Sequence, residues 1–131
     1  MATIIIQEND NAVLDVLTLA LSQQGHQTIP VLGAAPEKIS ALIRKYTPQL
    51  VLVDFRSTTT SGASILAAIR KISLKLPVVA LSCELNISKK ISKMGFDGCI
   101  EKPFDLYEFF DTINSCLSGG KSGKFRFVGN A

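Results

Sequence analysis

The sequence has few of the residues from which metal clusters and disulfide frameworks are built. It contains a single histidine, and its three cysteines, Cys83, Cys99 and Cys116, are never spaced as C-x-x-C. Reduced thiols fit this pattern better than disulfides or a zinc site. No apolar run is long enough to span a bilayer, and no basic segment followed by an apolar one marks a secretion signal at the N-terminus. We therefore expect a cytoplasmic protein that does not bind membranes.

Charge is also sparse and balanced. The 131 residues carry a net charge of +3, with 47% hydrophobic and 19% charged residues, which is typical of one globular domain. Nucleic-acid binding favours a dense basic stripe, whereas here the lysines are dispersed apart from Lys89, Lys90 and Lys93. We therefore predict no direct nucleic-acid binding by this domain.

Short apolar runs alternate with helical patterns five times along the chain. Predicted strands cover Thr3–Gln7, Thr28–Leu32, Leu50–Asp54, Pro77–Leu81 and Gly98–Glu101. Strands separated by helices indicate βαβ units, and hence a parallel sheet. The predicted fold class is α/β: a (βα)5 doubly wound five-stranded parallel sheet with the flavodoxin-like order 2-1-3-4-5.

The first and last helices have the clearest apolar stripes. The first runs from about Asn11 to Gln24, and the last begins after the N-cap Asp105. The residues expected to face inward are Val13, Val16, Leu17, Ala20 and Leu21 in the first helix, and Leu106, Phe109, Phe110, Ile113 and Leu117 in the last. This pattern places one domain at residues 1–118. Residues 119–131 form a tail that adds an edge strand, is disordered or starts a linker.

Chemically active side chains follow the predicted strands. Strand one is followed by Glu8, Asn9 and Asp10, strand three ends at Asp54, and Ser82 and Lys102 follow strands four and five. Because the carboxyl ends of parallel strands share one crevice, these groups are predicted to meet there. They are what an aspartyl-phosphate site requires. Asp54 attacks a phosphoryl donor, carboxylate oxygens bind Mg²⁺, and Lys102 and Ser82 hold the phosphoryl oxygens.

In order and spacing, four segments resemble the receiver domain of two-component response regulators over about residues 3–118. They are Ile4-Ile5-Ile6-Gln7-Glu8-Asn9-Asp10, Leu50 to Asp54, Val78-Val79-Ala80-Leu81-Ser82 and Glu101-Lys102-Pro103-Phe104. The resemblance implies that Asp54 is the phosphoacceptor and that Ser82 and Lys102 contact the phosphoryl group. It also implies that Mg²⁺ is bound by Glu8, Asn9, Asp54 and the backbone carbonyl of Arg56.

The same resemblance implies the partners. A sensor histidine kinase or phosphotransfer protein would supply the phosphoryl group, and an output protein or fused effector domain would receive the signal. The output surface would include Lys89, Lys90, Lys93, Tyr107 and Phe110. Beyond its own phosphorylation and dephosphorylation, no enzymatic activity is expected.

Three positions depart from the family pattern. Asn9 stands where a second acid is usual, Thr58 where proline is common, and Cys99 where an aromatic switch residue is usual. These departures keep open an alternative, a pseudo-receiver that acts as a phosphorylation-independent interaction module. A flavin-binding enzyme on the same fold is a third hypothesis.

The loops after strands three and four suggest a gate over the crevice. Arg56 and Glu84 each lie two residues beyond Asp54 and Ser82, respectively. We expect them to form an ion pair that shields the phosphoryl group from water. Alternatively, Arg56 points inward and partly replaces the positive charge of a weakly bound metal ion.

Overall fold

The computed structural model describes residues 1–33 and 35–118, together with the backbone of 126–128. Strands and helices alternate as the sequence pattern predicts. The strands are β1 (Thr3–Glu8), β2 (Gln27–Leu32), β3 (Leu50–Asp54), β4 (Val78–Ser82), β5 (Gly98–Glu101) and β6 (Arg126–Val128). The helices are α1 (Asn11–Gln23), α2 (Pro36–Tyr46), α3 (Ser61–Ile72), α4 (Ser88–Met94) and α5 (Leu106–Leu117).

The described strands form one parallel sheet in the order β2-β1-β3-β4-β5-β6. The predicted order of the first five strands is confirmed. Strand β6 extends the sheet beyond β5, with Arg126 opposite Gly98 and Val128 opposite Ile100. The sequence left three alternatives for the tail, and residues 126–128 form an added edge strand. Residues 119–125 and 129–131 lie outside the described part of the chain.

Helices cover both faces of the sheet, so the central strands are buried on both sides. One apolar cluster joins Ile5, Val51 and Val53 to α2, α3 and α4, and the other joins Ile4, Leu50 and Leu52 to α1 and α5 (the members of the two clusters alternate along each strand). This alternation is the expected consequence of the pleat of a strand. It explains why β3 and β4 are continuous apolar runs.

The helical stripes are predicted well at their centres and poorly at their margins. Leu17, Leu21, Phe109 and Ile113 are essentially buried, but Val16 is 56% exposed and Leu106 is 42% exposed. The predicted inward positions of Val16 and Leu106 are therefore wrong. A helix that packs on a sheet buries a stripe about two residues wide per turn, and both residues fall beside that stripe.

The sheet register brings the carboxyl ends of the central strands to one edge. Gln7 lies opposite Val53 on β3, and Asp54 lies opposite Leu81 on β4. Lys102 follows β5 directly, donates its backbone N–H to the carbonyl of Ser82 at 2.6 Å and precedes Pro103 through a cis peptide bond. The fold therefore delivers its acids, hydroxyl and lysine to the same crevice, as in other doubly wound sheets.

Candidate functional site

Asp54 lies at the centre of the crevice, at the carboxyl end of β3. Its side chain is only 2% exposed, and its carboxylate is surrounded by donors. Asn9 donates to Asp54 Oδ2 from its side-chain Nδ2 at 2.9 Å and from its backbone N–H at 3.2 Å. Lys102 Nζ lies 3.3 Å from Asp54 Oδ1. The carboxylate is thus buried, but it is stabilised as an anion.

Glu8 and Lys102 form the second half of the pocket. Both are largely removed from water, and Lys102 Nζ donates to both oxygens of the Glu8 carboxylate, at 3.2 Å to Oε2. Lys102 therefore bridges Glu8 and Asp54, and a single ammonium group contacts both carboxylates. The negative charge of such a site can be reduced by a proton or by a further cation.

The pKa values of the two carboxyls move in opposite directions. Burial raises the pKa of Glu8, and the opposing charge and hydrogen bond of Lys102 do not cancel it. Burial also acts on Asp54, but hydrogen bonding with Glu8, the charge of Lys102 and the donors of Asn9 outweigh it and hold the pKa of Asp54 below its ordinary value. Of the two carboxyls, Glu8 therefore takes up a proton first as the pH falls, and Asp54 stays ionised to lower pH.

Arg56 points toward the Asp54 carboxylate. Its guanidinium Nη2 lies 3.6 Å from Asp54 Oδ2, while its side chain remains 47% exposed. The predicted Arg56–Glu84 ion pair is wrong, because among the described residues Glu84 binds Ser57, accepting from the Ser57 backbone N–H at 2.6 Å and from its hydroxyl. These bonds lower the pKa of Glu84. The Ser57–Glu84 contact joins the β3–α3 loop to the β4–α4 loop above the pocket.

Ser82 and Cys99 lie deeper in the fold. Ser82 is fully buried at the end of β4, and its hydroxyl accepts from the backbone N–H of Glu84 at 3.1 Å; in the described part of the chain it makes no hydrogen bond to Asp54. Cys99 is fully buried in the sheet, where burial and then the charge of Glu101 raise its thiol pKa to about 12. That thiol stays protonated at neutral pH and packs as a small apolar side chain.

The oxygens of the pocket fit a magnesium ion in part. Glu8 Oε2 and Asp54 Oδ2 accept from the same backbone N–H of Asn9, at 3.1 and 3.2 Å, so two carboxylate oxygens converge on one point. Asn9 contributes an amide oxygen without charge, and the Arg56 carbonyl accepts from Thr59 N–H at 3.3 Å within its own loop. No group of three or more His, Cys, Asp or Glu side chains able to hold a metal occurs among the described residues. Hard oxygen donors are present, but with a low charge.

The structure identifies one pocket residue that the sequence analysis missed. Gln7 is completely buried, and its side-chain oxygen accepts from the backbone N–H of Asp54 at 3.0 Å. The available signal was a polar residue that directly follows the apolar run Ile4–Ile6, at a position where the pattern predicts a buried side chain. Buried amides need partners, so such a residue indicates a specific hydrogen bond.

Comparison with known proteins identifies the class of this domain. The family described as "Response regulator receiver domain" matches residues 4–114. The chain therefore belongs to the response regulator receiver family, whose members are signalling domains and typically bind Mg²⁺ at the phosphorylation site. In the described residues, no helix is long and apolar enough to cross a bilayer.

Two curated relatives align with most of this chain. The chain is 31% identical over 116 residues to the transcriptional regulatory protein BasR of Escherichia coli, covering 87% of this chain and 51% of BasR. It is 26% identical over 119 residues to the DNA-binding transcriptional regulator NtrC of Azospirillum brasilense, covering 89% of this chain and 24% of NtrC. It thus spans about half or less of these two relatives.

Solved structures agree with this assignment. The Francisella response regulator 1452 receiver domain superposes with a TM-score of 0.77 at 19% identity, over 90% of this chain and 98% of that domain. NtrX from Brucella abortus, in complex with ADP, gives a TM-score of 0.77 at 25% identity, over 89% of this chain and 26% of NtrX. The first similarity supports the fold alone.

Proposed function

We propose that this domain is a phosphorylation-controlled receiver that accepts a phosphoryl group on Asp54 with the help of Mg²⁺. The observation that carries the proposal is the ionised, buried Asp54 carboxylate between Lys102 and Asn9. An anionic oxygen is the reactive form of an aspartate nucleophile. A carboxylate that served only to end a strand would have little reason to be enclosed with a second acid and a lysine.

In the proposed reaction, an oxygen of Asp54 attacks the phosphorus of the donor while the bond to the leaving group breaks. Lys102 Nζ exchanges its hydrogen bonds to Glu8 and Asp54 for hydrogen bonds to the new phosphoryl oxygens. The Ser82 hydroxyl turns away from the Glu84 backbone N–H and donates to another phosphoryl oxygen. Glu8, Asp54, the amide oxygen of Asn9 and the Arg56 carbonyl would hold Mg²⁺. The ion supplies charge neutralisation at the transferring group.

The proposed partners follow from the family and from the pocket. The domain, residues 1–118, would receive its phosphoryl group from a sensor histidine kinase or a phosphotransfer protein in the cytoplasm. It would pass the signal to an output protein or a fused effector domain, since the relatives named above are longer transcriptional regulators. The change in charge at Asp54 would shift the population between two arrangements of the Ser82 loop.

Incubation with a small acyl phosphate and Mg²⁺ tests the proposal directly. We expect the intact mass of the native chain to rise by one phosphoryl group, and peptide mapping to locate the group on the peptide that contains Asp54. Chelation of Mg²⁺ by EDTA should suppress the gain, because the pocket then lacks the cation that balances the incoming charge. A folded chain that gains no mass under these conditions would instead act as a pseudo-receiver.

Restoring the missing acid should strengthen metal binding. An Asn9→Asp variant gives the pocket a third carboxylate and removes the Asn9 Nδ2 donor from Asp54. We expect the Mg²⁺ dissociation constant to fall about tenfold or more, because one added charge at ~4 Å contributes several kcal/mol even at moderate dielectric.

The same variant should be less stable than the native chain without metal and gain more thermal stability from Mg²⁺. Calorimetric titration and melting curves measure the two effects. A matched Asn11→Asp variant, which adds the same charge at the first residue of α1, should leave Mg²⁺ affinity within about twofold, since exposed charges are screened. Equal Mg²⁺ affinities of native and Asn9→Asp chains would remove residue 9 from the proposed ligand set.

A further inference from the structure

Gln7 occupies an unusual place in the sheet. It is fully buried in β1 and lies between Val31 on β2 and Val53 on β3. By the alternation along the strand it lies on the same face as Ile5, which packs against the α2–α3–α4 layer. Asp54 lies two residues after Leu52 and therefore on the same face, which packs against the α1–α5 layer. Gln7 thus approaches Asp54 from the opposite face of the sheet.

Both ends of the Gln7 amide are used. Its Oε1 accepts from the Asp54 backbone N–H at 3.0 Å, and its Nε2 donates to the carbonyl of Gly33 at 3.0 Å. Gly33 in turn donates its backbone N–H to the carbonyl of Glu8 at 2.9 Å, and its φ of 83° is a left-handed conformation that glycine adopts readily. One side chain thus joins the acceptor strand to the turn after β2.

The end of β1 therefore holds Asp54 at two points. Gln7 binds its backbone N–H, and Asn9, two residues further on, binds its carboxylate. If the backbone were free to rotate at Asp54, the carboxylate would leave the short contacts with Asn9 and Lys102 that keep it ionised. An amide side chain can make both hydrogen bonds, whereas an apolar residue at position 7 would leave the buried Asp54 N–H and the partly buried Gly33 carbonyl without this partner.

We propose that Gln7 is a positioning residue for phosphoryl transfer: it fixes the backbone of Asp54 and couples the acceptor to the Gly33 turn. The inference rests on the proposed function of Asp54 and deepens it. Gln7 does not touch the phosphoryl group. It acts through the orientation of the nucleophile, and misplacement of a reacting group by a fraction of an ångström is costly in rate.

A Gln7→Met variant tests this role because methionine has nearly the same length but neither hydrogen bond. We expect acceptor phosphorylation by a small acyl phosphate at saturating Mg²⁺ to slow by about tenfold. We also expect the Asp54 amide to exchange its hydrogen at least about tenfold faster, with the amides of Val51 and Leu52 less affected. Ile43→Val and Ile43→Ala, in the core of α2, serve as controls that lower stability without touching the pocket.

The outcomes separate a positioning role from a merely structural one. If Gln7→Met melts like the Ile43 controls and is phosphorylated at their rate, the proposal is overturned. If it does not fold, the native chain still decides: scalar coupling across the hydrogen bond between the Asp54 amide nitrogen and the Gln7 side-chain carbonyl supports the proposal, and its absence overturns it. If the native chain takes no phosphate, the proposed function fails, whereas the exchange and coupling measurements still test the grip on Asp54.

Discussion

An Asp54→Asn variant should take no phosphate under conditions in which the native chain is phosphorylated. The amide has almost the same shape, but it has no anionic oxygen to attack phosphorus. The fold should persist, because the substitution removes both the attraction between Asp54 and Lys102 and the unfavourable proximity of Asp54 and Glu8. Intact mass measures the first effect, and thermal unfolding followed by circular dichroism measures the second.

The neighbouring acid Asp10 supplies a matched control. It is exposed and caps α1, accepting from the backbone N–H groups of Ala12 at 2.9 Å and Val13 at 3.2 Å. Asparagine is an equally good N-cap, so Asp10→Asn removes the same charge without disturbing the helix. This variant should be phosphorylated like the native chain. Undiminished phosphate on Asp54→Asn would mean that another residue is the acceptor.

The sequence is a good guide to the fold because the fold depends on periodicity. Apolar runs such as Leu50–Val53 specify strands buried on both faces, and the acid that ends this run marks the edge of the sheet. The edges of the buried face of each helix are harder to predict. Val16 and Leu106 are apolar yet exposed, since the width of a buried stripe depends on how a helix lies on the sheet, and this is a tertiary property.

The site was predictable to the level of residue types but not of contacts. Topology alone brings Glu8, Asn9, Asp54 and Lys102 together, because each lies at or just beyond the carboxyl end of a parallel strand. Which donor binds which oxygen depends on side-chain rotamers and loop conformation. The sequence therefore left Arg56 either paired with Glu84 or turned inward, and the structure turns it toward Asp54 and gives Glu84 to Ser57. The role of Gln7 was hidden for the same reason, since its partners are backbone groups that the sequence does not identify.

A Lys102→Met variant should lose both phosphoryl transfer and stability, and the loss of stability should depend on pH. Removing one preorganised donor from a transferring group typically costs about 10²–10³ in rate. The variant also leaves Glu8 and Asp54 buried without their shared cation, and breaking a buried pair in this way costs roughly 3 kcal/mol when the remaining charge stays ionised.

The sign of the pH dependence follows from the two carboxyls. In the native chain the folded pKa of Asp54 lies below its ordinary 3.8, so the stability from its ionised form is present above that value and is lost as the pH falls through the folded pKa. The folded pKa of Glu8 lies above its ordinary 4.5, so Glu8 favours folding fully only below 4.5. Without Lys102 both folded pKa values should rise, and the variant should lose stability as the pH increases above about 4.

Denaturant unfolding of both chains between about pH 3.5 and neutrality measures this difference. The native and Lys102→Met chains should be close in free energy of unfolding at the acidic end and should diverge as the carboxyls ionise. Lys71→Met, on an exposed position of α3, should differ little from the native chain at any pH. A stability loss for Lys102→Met that did not change with pH would mean that Lys102 acts through packing and not through charge.

Arginine at the same position separates the two roles of Lys102. A Lys102→Arg variant keeps the positive charge, so it should recover most of the stability at neutral pH. Its planar guanidinium presents donors in a fixed fork, unlike the compact ammonium group of lysine, and the hydrogen bonds to Glu8 and Asp54 depend on that compact shape. We therefore expect phosphoryl transfer to stay well below the native rate even where stability is restored. The rate depends on where the donor lies, whereas the stability depends mainly on its charge.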